Sequence, residues 1–515
     1  MIRILDNHVV LRHDRPEQLR AVFPDIKEAT IKGERFVAVP HTLESARVLN
    51  NLNIKVESPI RRHYEWPGRY KPKAHQVHTA EFLTLNPRAF CLNGMGSGKT
   101  LSSLWSADYL QHIKEVHKVL VIAPLSTLEP TWGQEIFQNF PLKSYAILHG
   151  SRQKRKDLLA GDYDIYLINH DGVEIIADDL IARQDIDLFI LDESAVYRNQ
   201  QSNRWKVLNK IINKYRFVPN VWGMTGAPTP NDPTDAYGQV KLIKPENYKG
   251  HFTSFKHETM VQITQFKWVP KRGAEESVGR IMKPSIRYAL QDCVDLPETV
   301  YSDRMVPLSQ EQQKHYRELI RQAATEIKGT TVTAVNSAVL IGKIVQASLG
   351  VLYGADGTTV KIDSTPRTKL VKELIESCDQ KVIVFVPFTA ALQSVAAELR
   401  KRWTVEVVDG GTSMAHRNRI FREFRALKDP HVLVANAGAM SHGLTLVEAS
   451  MIIWYAPVTS NDTYVQANAR IVRPGQKYVT NIVHVYATAE EKRIYAVLKE
   501  RGKLQDLVLD LAKEN

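Results

Sequence analysis

Cysteine is scarce. Cys91, Cys293 and Cys378 are the only three in 515 residues, too few and too scattered for a disulfide framework or a zinc site, which points to a reducing compartment. Long apolar runs are missing too. No stretch approaches the ~18 uninterrupted apolar residues of a membrane span. The opening segment, MIRILDNHVVLRHDR, carries charges through what would be the apolar core of a signal peptide. A cytoplasmic protein without membrane contact is expected, and the secreted, membrane-embedded and disulfide-scaffold classes are excluded. Acidic residues are in deficit: 56 Asp+Glu against 68 Lys+Arg leave a formal charge of +12, which favours a polyanionic partner. Repeats and low-complexity tracts are absent. What is present is ordinary globular usage, 43% apolar and 24% charged, in a chain long enough for roughly three to four domains of about 150 residues.

The first ~60 residues read as a small α+β unit. Short apolar or alternating runs at Ile2–Leu5, Val9–Leu11 and Phe36–Val39 precede a helical pattern over His41–Leu52, opened by Thr42. Prolines and a glycine in SPIRRHYEWPGRYKPK, Ser58–Lys73, break the pattern and mark a linker over 61–73. Its Arg61, Arg62, Arg69, Lys71 and Lys73 alternate with Tyr64, Trp66 and Tyr70. That mixture suits phosphate and base contacts, or equally a connector whose aromatics pack on the next domain. From residue 74, β-rich runs at Ala89–Leu92, Lys118–Ala123, Asp164–Ile168, Leu188–Leu191 and Val221–Met224 alternate with helical stretches. A second set follows at Lys381–Phe385, Thr404–Val408, His431–Ala435, Met451–Trp454 and Ile482–Tyr486. This alternation predicts two tandem α/β domains, each a parallel sheet with helices on both faces. The stretch 241–366 between them reads as mostly helical and polar. The expected divisions are 1–60, 61–73, 74–300 and 301–515.

Three segments carry chemistry. Asn93-Gly94-Met95-Gly96-Ser97-Gly98-Lys99-Thr100 follows directly on a strand. Glycines let such a loop curl so that its N–H groups face phosphates, with Lys99 on the β/γ-phosphates and the Thr100 hydroxyl on Mg²⁺. A helix starting near Leu101 would turn its positive end to the anion. Asp192-Glu193-Ser194-Ala195 ends another apolar strand, 93 residues after Lys99. There Asp192 would hold Mg²⁺ through water and Glu193 would orient and deprotonate an attacking water, although a helix cap would explain the pair as well. Arg470 and Arg473 in QANARIVRPGQ lie three apart, on one helical face, as a hydrolytic site would need for charge delivered from a second domain.

These blocks resemble the Swi/Snf family of DNA-dependent ATPases in helicase superfamily two. Asn93–Thr100 is similar to motif I, with Asn93 where the strict pattern has glycine. Lys71-Pro-Lys-Ala-His75-Gln76 resembles the adenine-reading glutamine segment. Ala123-Pro124-Leu125-Ser126 with Trp132 resembles motif Ia, and Leu148-His149-Gly150-Ser151 the strand end after it. Asp192–Ala195 followed by Arg198-Asn199 is similar to motif II, Thr225-Gly226-Ala227-Pro228-Thr229-Pro230-Asn231 to motif III and Val382–Phe385 to motif IV. Gly438 with Gly443-Leu444-Thr445-Leu446 resembles motif V, with Thr445 in place of the usual Asn, and Gln466, Arg470, Arg473, Gly475 and Gln476 match motif VI. The resemblance spans about residues 70–495 and implies two RecA-like lobes with helical insertions. ATP would be held by Gln76, Gly94, Met95, Gly96, Ser97, Gly98, Lys99, Thr100, Gly443 and Gln466, and Mg²⁺ by Thr100 and Asp192. Lys99, Asp192, Glu193, Arg470 and Arg473 would carry catalysis. Ser126, Gly150, Ser151, Arg417 and Gly438 would touch DNA, joined by Arg61 and Arg62 of the linker.

The implied activity is ATP-driven translocation on double-stranded or branched DNA, in repair, recombination or fork handling. An RNA-dependent helicase of the same superfamily and the motor subunit of a restriction or defence complex are the alternatives. The N-terminal unit, with Arg35-Phe36-Val37-Ala38-Val39-Pro40, is faintly similar to the accessory domain of annealing helicases that remodel forks.

Overall fold

In the computed structural model, the described residues are 2–5, 7–12, 16–24, 26–31, 33–215, 219–265, 267–329, 342–353, 358–440 and 445–510. They form three sheet-bearing units. The first is a four-stranded antiparallel sheet in the order Ile2–Leu5, His8–Arg12, Glu34–Pro40, Lys27–Ile31. Alternation sends Val9, Leu11, Val37 and Val39 to one face, where Ala46 and Leu49 of the helix Leu43–Asn51 cover them. Thr42 caps that helix, accepting a hydrogen bond from the Ser45 amide.

The second unit is a seven-stranded, all-parallel sheet. Its order is Ser285–Ile286, Arg88–Cys91, Asn220–Met224, Ile186–Asp192, Lys118–Ala123, Ile165–Asn169, Tyr145–Ile147. Successive residues feed opposite cores. Phe90, Leu120, Ile122, Phe189 and Leu191 meet the helices Asn203–Lys214 and Asp235–Ile243. Ala89, Cys91, Val119, Val121, Leu188 and Ile190 meet Ala74–Leu85 and Lys99–His112. Burial on both faces is why these strands read as unbroken apolar runs.

The third unit repeats the plan with six parallel strands, in the order Thr299–Met305, Thr480–Tyr486, Ala449–Trp454, Lys381–Phe385, Val432–Ala435, Val405–Val408. Its two faces are covered by Thr365–Glu376 and Thr389–Leu399 on one side and by Met414–Ala426 and Asn461–Asn468 on the other. In its interior Arg367 and Glu491, both almost wholly buried, pair at 2.7 Å. Glu491 also accepts from the Ser348 hydroxyl and the Ala487 amide, and Arg367 donates to the Tyr455 carbonyl.

The stretch 241–366 departs from the helical expectation. Beside the helices Phe252–Thr259 and Ala274–Ile281 it holds an antiparallel hairpin, Met260–Thr264 with Lys267–Pro270, and two strands, Ser285–Ile286 and Thr299–Met305, that join the edges of the first and second large sheets. An edge strand with one exposed face lacks the apolar run that betrays a central one. Residues 61–73 are docked rather than free. Ile60–His63 is a short helix, Tyr64 and Trp66 pack edge-on against Tyr109 and Trp105, and the Tyr64 hydroxyl donates to Asp108. Removing one member of the buried Arg367–Glu491 pair strands the other charge, so Arg367→Met should cost about 3–5 kcal/mol in denaturant unfolding. Arg367→Met with Glu491→Leu together should recover much of that loss.

Candidate functional site

The carboxyl ends of the strands in a parallel sheet point one way, and loops there converge. The Asn93–Gly98 loop leaves Arg88–Cys91 at that edge. Gly96 and Gly98 sit at φ +79° and +83°, a left-handed backbone that disfavours side chains, and Gly98 caps the helix Lys99–His112. The Gln76 carboxamide rests against Gly98, where a Cβ would collide with it. Lys99 donates to the carbonyls of Asn93 at 2.9 Å and Gly94 at 3.2 Å. Burial lowers its pKa, opposed by Cys91, Glu193 and Asp192.

Asn93, the departure from the glycine pattern, has a structural task. Its amide donates to the Thr79 hydroxyl and its oxygen accepts from the Tyr288 N–H, both at 2.9 Å. The loop is thereby tied to the helix behind it and to the sheet's edge.

Asp192 and Glu193 end the strand Ile186–Asp192 beside the loop. Glu193 adopts φ +57°, strained for a side-chain-bearing residue, and its carboxylate accepts from the Thr225 hydroxyl at 2.7 Å. Desolvation, then Asp462 and Asp192, push its pKa up to about 7, against the Thr225 bond and Lys99. Asp192 accepts from the Trp132 indole at 2.9 Å. The motif II departures are structural: buried Ser194 donates to Gln239, and buried Ala195 lies beside it.

The second large unit closes the cleft. Gln466, on the helix Asn461–Asn468, donates to Asp462; Arg470 and Arg473 lie in the turns beyond that helix, not on the helical face expected for them. Burial and the neighbouring Arg473 lower Arg470 to about 9, while Glu193 and Asp462 act in the opposite direction; it remains a cation at neutral pH. Burial lowers Arg473 as well. A Cβ on Gly96 would lie 3.0 Å from the Pro474 ring and 3.5 Å from the Arg473 Cβ, so the phosphate loop touches the arginine turn. The resulting cleft, about 620 Å³, is lined by Gln76, Lys99, Thr100, Asp192, Glu193, Gln466, Arg470 and Arg473 among others. Gly94 and Ser97 lie in the same loop, and Met95 and Gly96 line the cleft. Gly443 is outside the described residues, and its neighbour Thr445 lines the cleft. Thr100 and Asp192 offer only oxygen donors, which suits Mg²⁺ shared with phosphate oxygens.

None of the residues expected to touch nucleic acid lines this cleft itself, although Ser126 lies between Pro124 and Thr127, which do. Ser126 follows the strand Lys118–Ala123, and Gly150 and Ser151 follow Tyr145–Ile147, where buried Arg155 braces the turn by donating to the Gly150 carbonyl. Arg417 donates to the Thr412 carbonyl, and exposed Gly438 follows Val432–Ala435. Arg61 pairs with Glu81 at 2.8 Å, and Arg62 pairs with Glu57. In the sequence Thr225 and Trp132 stand out only as members of motifs, and Asp462 does not stand out at all. Their chemistry depends on contacts that no spacing announces.

Two parallel-sheet lobes, with a phosphate loop on one and paired arginines on the other, define a two-lobed P-loop nucleotide-binding core. The SNF2-related domain matches residues 88–348 and the helicase conserved C-terminal domain matches residues 366–475; the chain belongs to the SNF2-related family. It is similar to an uncharacterised ATP-dependent helicase of Mycoplasma genitalium, 25% identical over 80% of this chain and 39% of that protein. It thus spans about two fifths of that relative. It also resembles protein p41 of Acyrthosiphon pisum secondary endosymbiont phage 1, 23% identical over 86% of this chain and 99% of that protein. The SWI2/SNF2 ATPase core of Sulfolobus solfataricus in complex with dsDNA aligns with 20% identity and TM-score 0.40, covering 86% of this chain and 94% of that one.

As the expected base, with its pKa pushed up to about 7, Glu193 would set the pH response. ATP hydrolysis should rise with pH through about 7 as Glu193 deprotonates, and Thr225→Val, by removing a bond that favours the carboxylate, should move the inflection to higher pH. The raised pKa also has a stability sign: the folded state holds this proton more tightly, so its contribution falls as pH rises from about 4.5 to about 7. An unmoved inflection in Thr225→Val would remove Thr225 from the base's environment.

Proposed function

We propose that the chain is a cytoplasmic, ATP-hydrolysing motor that translocates on double-stranded DNA. One observation carries the reading: Lys99 and Glu193 from one lobe and Arg470 and Arg473 from the other line a single cleft. Lys99 neutralises the β/γ-phosphates. Thr100 and Asp192 would hold Mg²⁺, which when bound would supply further charge neutralisation. Glu193 accepts the proton of the attacking water while Thr225 orients its carboxylate. Arg470 and Arg473 stabilise the charge on the transferred phosphoryl group, a contribution worth about 10³–10⁵ in rate for arginine fingers. Both arginines come from the far lobe, so the cleft is complete only when the lobes meet, and loss of the γ-phosphate favours their separation.

The support for DNA is electrostatic and familial: a net charge of +12 and membership of the SNF2-related family. Such a motor grips phosphates rather than base edges, as movement along any sequence requires. Ser126, Gly150, Ser151, Arg417 and Gly438, all near strand ends or on the following helix, are the proposed contacts. Arg61 and Arg62 belong to the proposed footprint through their exposed portions. The N-terminal unit packs through Leu85 onto the helix that carries Gln76, well situated to hold a second arm of branched DNA beside the motor.

Steady-state hydrolysis measured on duplex, gapped, forked and four-way DNA, single strands and RNA tests the reading. Duplex DNA is expected to stimulate most among unbranched substrates, and stimulation by RNA alone would overturn it. Lys99→Ala should lose both nucleotide binding and turnover. Glu193→Gln should keep binding and lose turnover, and near wild-type turnover in Glu193→Gln would reassign the base. Duplex affinity should fall with salt at a log–log slope of roughly −0.9 per phosphate neutralised, alike on unrelated sequences.

A further inference from the structure

We infer that Trp132 is a positioning residue that ties the carboxylate of Asp192 to the segment carrying Ser126, so that nucleic acid held at that segment bears on the cation-holding side of the ATP cleft. The coupling rests on the translocase reading above; the hold on Asp192 does not. Trp132 is fully buried, and its indole N–H donates to Asp192 Oδ2 at 2.9 Å. An indole has one polar atom and can only donate. A bond to a carboxylate is charge-assisted, and it fixes the group's orientation toward the cleft, which Asp192 lines.

The segment bearing Trp132 is not a regular helix. Leu125–Thr127 is α-helical, Leu128–Gly133 is a π-helical turn and Gln134–Asn139 returns to α. Pro130 has no N–H for the carbonyl of Ser126, four residues earlier, so the α pattern must give way there. Widened turns of this kind cluster at functional sites because they redirect a side chain. Here the widened turn carries the tryptophan that reaches Asp192. The same stretch forms a wall of the cleft through Pro124, Thr127, Pro130, Thr131 and Gln134. One continuous piece therefore runs from Ser126, past the cleft wall, to the carboxylate on the neighbouring strand, and a displacement of its first turn would reach Asp192 through the Trp132 indole.

The test is Trp132→Phe in the full chain, which keeps a buried ring and removes the donor. ATP binding is measured calorimetrically in EDTA and across a Mg²⁺ titration. ATP affinity in EDTA should stay at the wild-type value while half-saturating Mg²⁺ rises about tenfold or more, the usual effect of losing a partner of a metal ligand. Duplex stimulation of kcat should fall while duplex Kd without nucleotide is unchanged. Combining Trp132→Phe with Ser126→Ala should reduce stimulation no further than the worse single variant, as one shared route requires. Trp132→His, whose ring N–H can donate, should recover part of the Mg²⁺ response and serves if the phenylalanine variant folds poorly. An unchanged Mg²⁺ titration, or an equal loss of ATP affinity with and without Mg²⁺ accompanied by a lower Tm, would reduce Trp132 to packing and overturn the proposal. Additive losses in the double variant would overturn the coupling alone. A wild-type chain that binds ATP with Mg²⁺ but ignores duplex would sink the translocase reading, and the Mg²⁺ titration would still judge the hold on Asp192.

Discussion

Charge balance in a narrow cleft is the constraint on which the site depends. Asp192 and Glu193 gather with Lys99 in one lobe, and burial, followed by the charges of Asp462 from the other lobe and of Asp192, lifts Glu193 toward neutrality. Arg470 answers from the other lobe, held as a cation partly by that same Glu193. Across the cleft the acidic pair Asp192 and Glu193 of one lobe faces Arg470 and Arg473 of the other. Attraction between the halves is therefore a reason for the lobes to meet, and the contact of Gly96 with the Arg473–Pro474 turn is where they do.

The two sheets supply the geometry for this. Each is all-parallel, so its functional loops emerge along one edge, and each is buried on both faces, so its strands are stiff and precisely placed. The fully buried Arg367–Glu491 pair binds two helices of the third unit to the backbone at Tyr455, just beyond the strand Ala449–Trp454. Arginine delivery across a gap demands this rigidity, because a misplacement of about 1 Å is costly in catalysis.

Legibility in the sequence follows burial. Lys118–Ala123 and Lys381–Phe385 were readable to the residue, because a strand covered on both faces leaves an apolar run. Lys27–Ile31 and Thr299–Met305 were not, since one is largely exposed and the other is an edge strand with mostly exposed side chains. The phosphate loop, the acidic pair and the arginines were legible because each is a local pattern. Asn93, Trp132 and Thr225 were not, because their partners lie 14, 60 and 32 residues away in sequence. Asn93 looked like a defect in a glycine pattern and proves to be a tie. The aromatic linker was ambiguous in sequence; the structure docks Tyr64 and Trp66 on the first lobe and leaves the exposed parts of Arg61 and Arg62 beside acidic partners.

That tie has a consequence for the newly made chain. The loop that begins at Asn93 is fastened by the backbone of Tyr288, 195 positions later, through both Asn93 and the Gly94 amide, and the strand leading into it pairs with Ser285–Ile286. Ribosomes add roughly 5–20 residues per second, so for many seconds a nascent chain carries a complete phosphate-loop sequence without the partner that sets its shape. The phosphate loop is held from the far end of its own lobe, and a chain that has not yet reached Tyr288 lacks that hold.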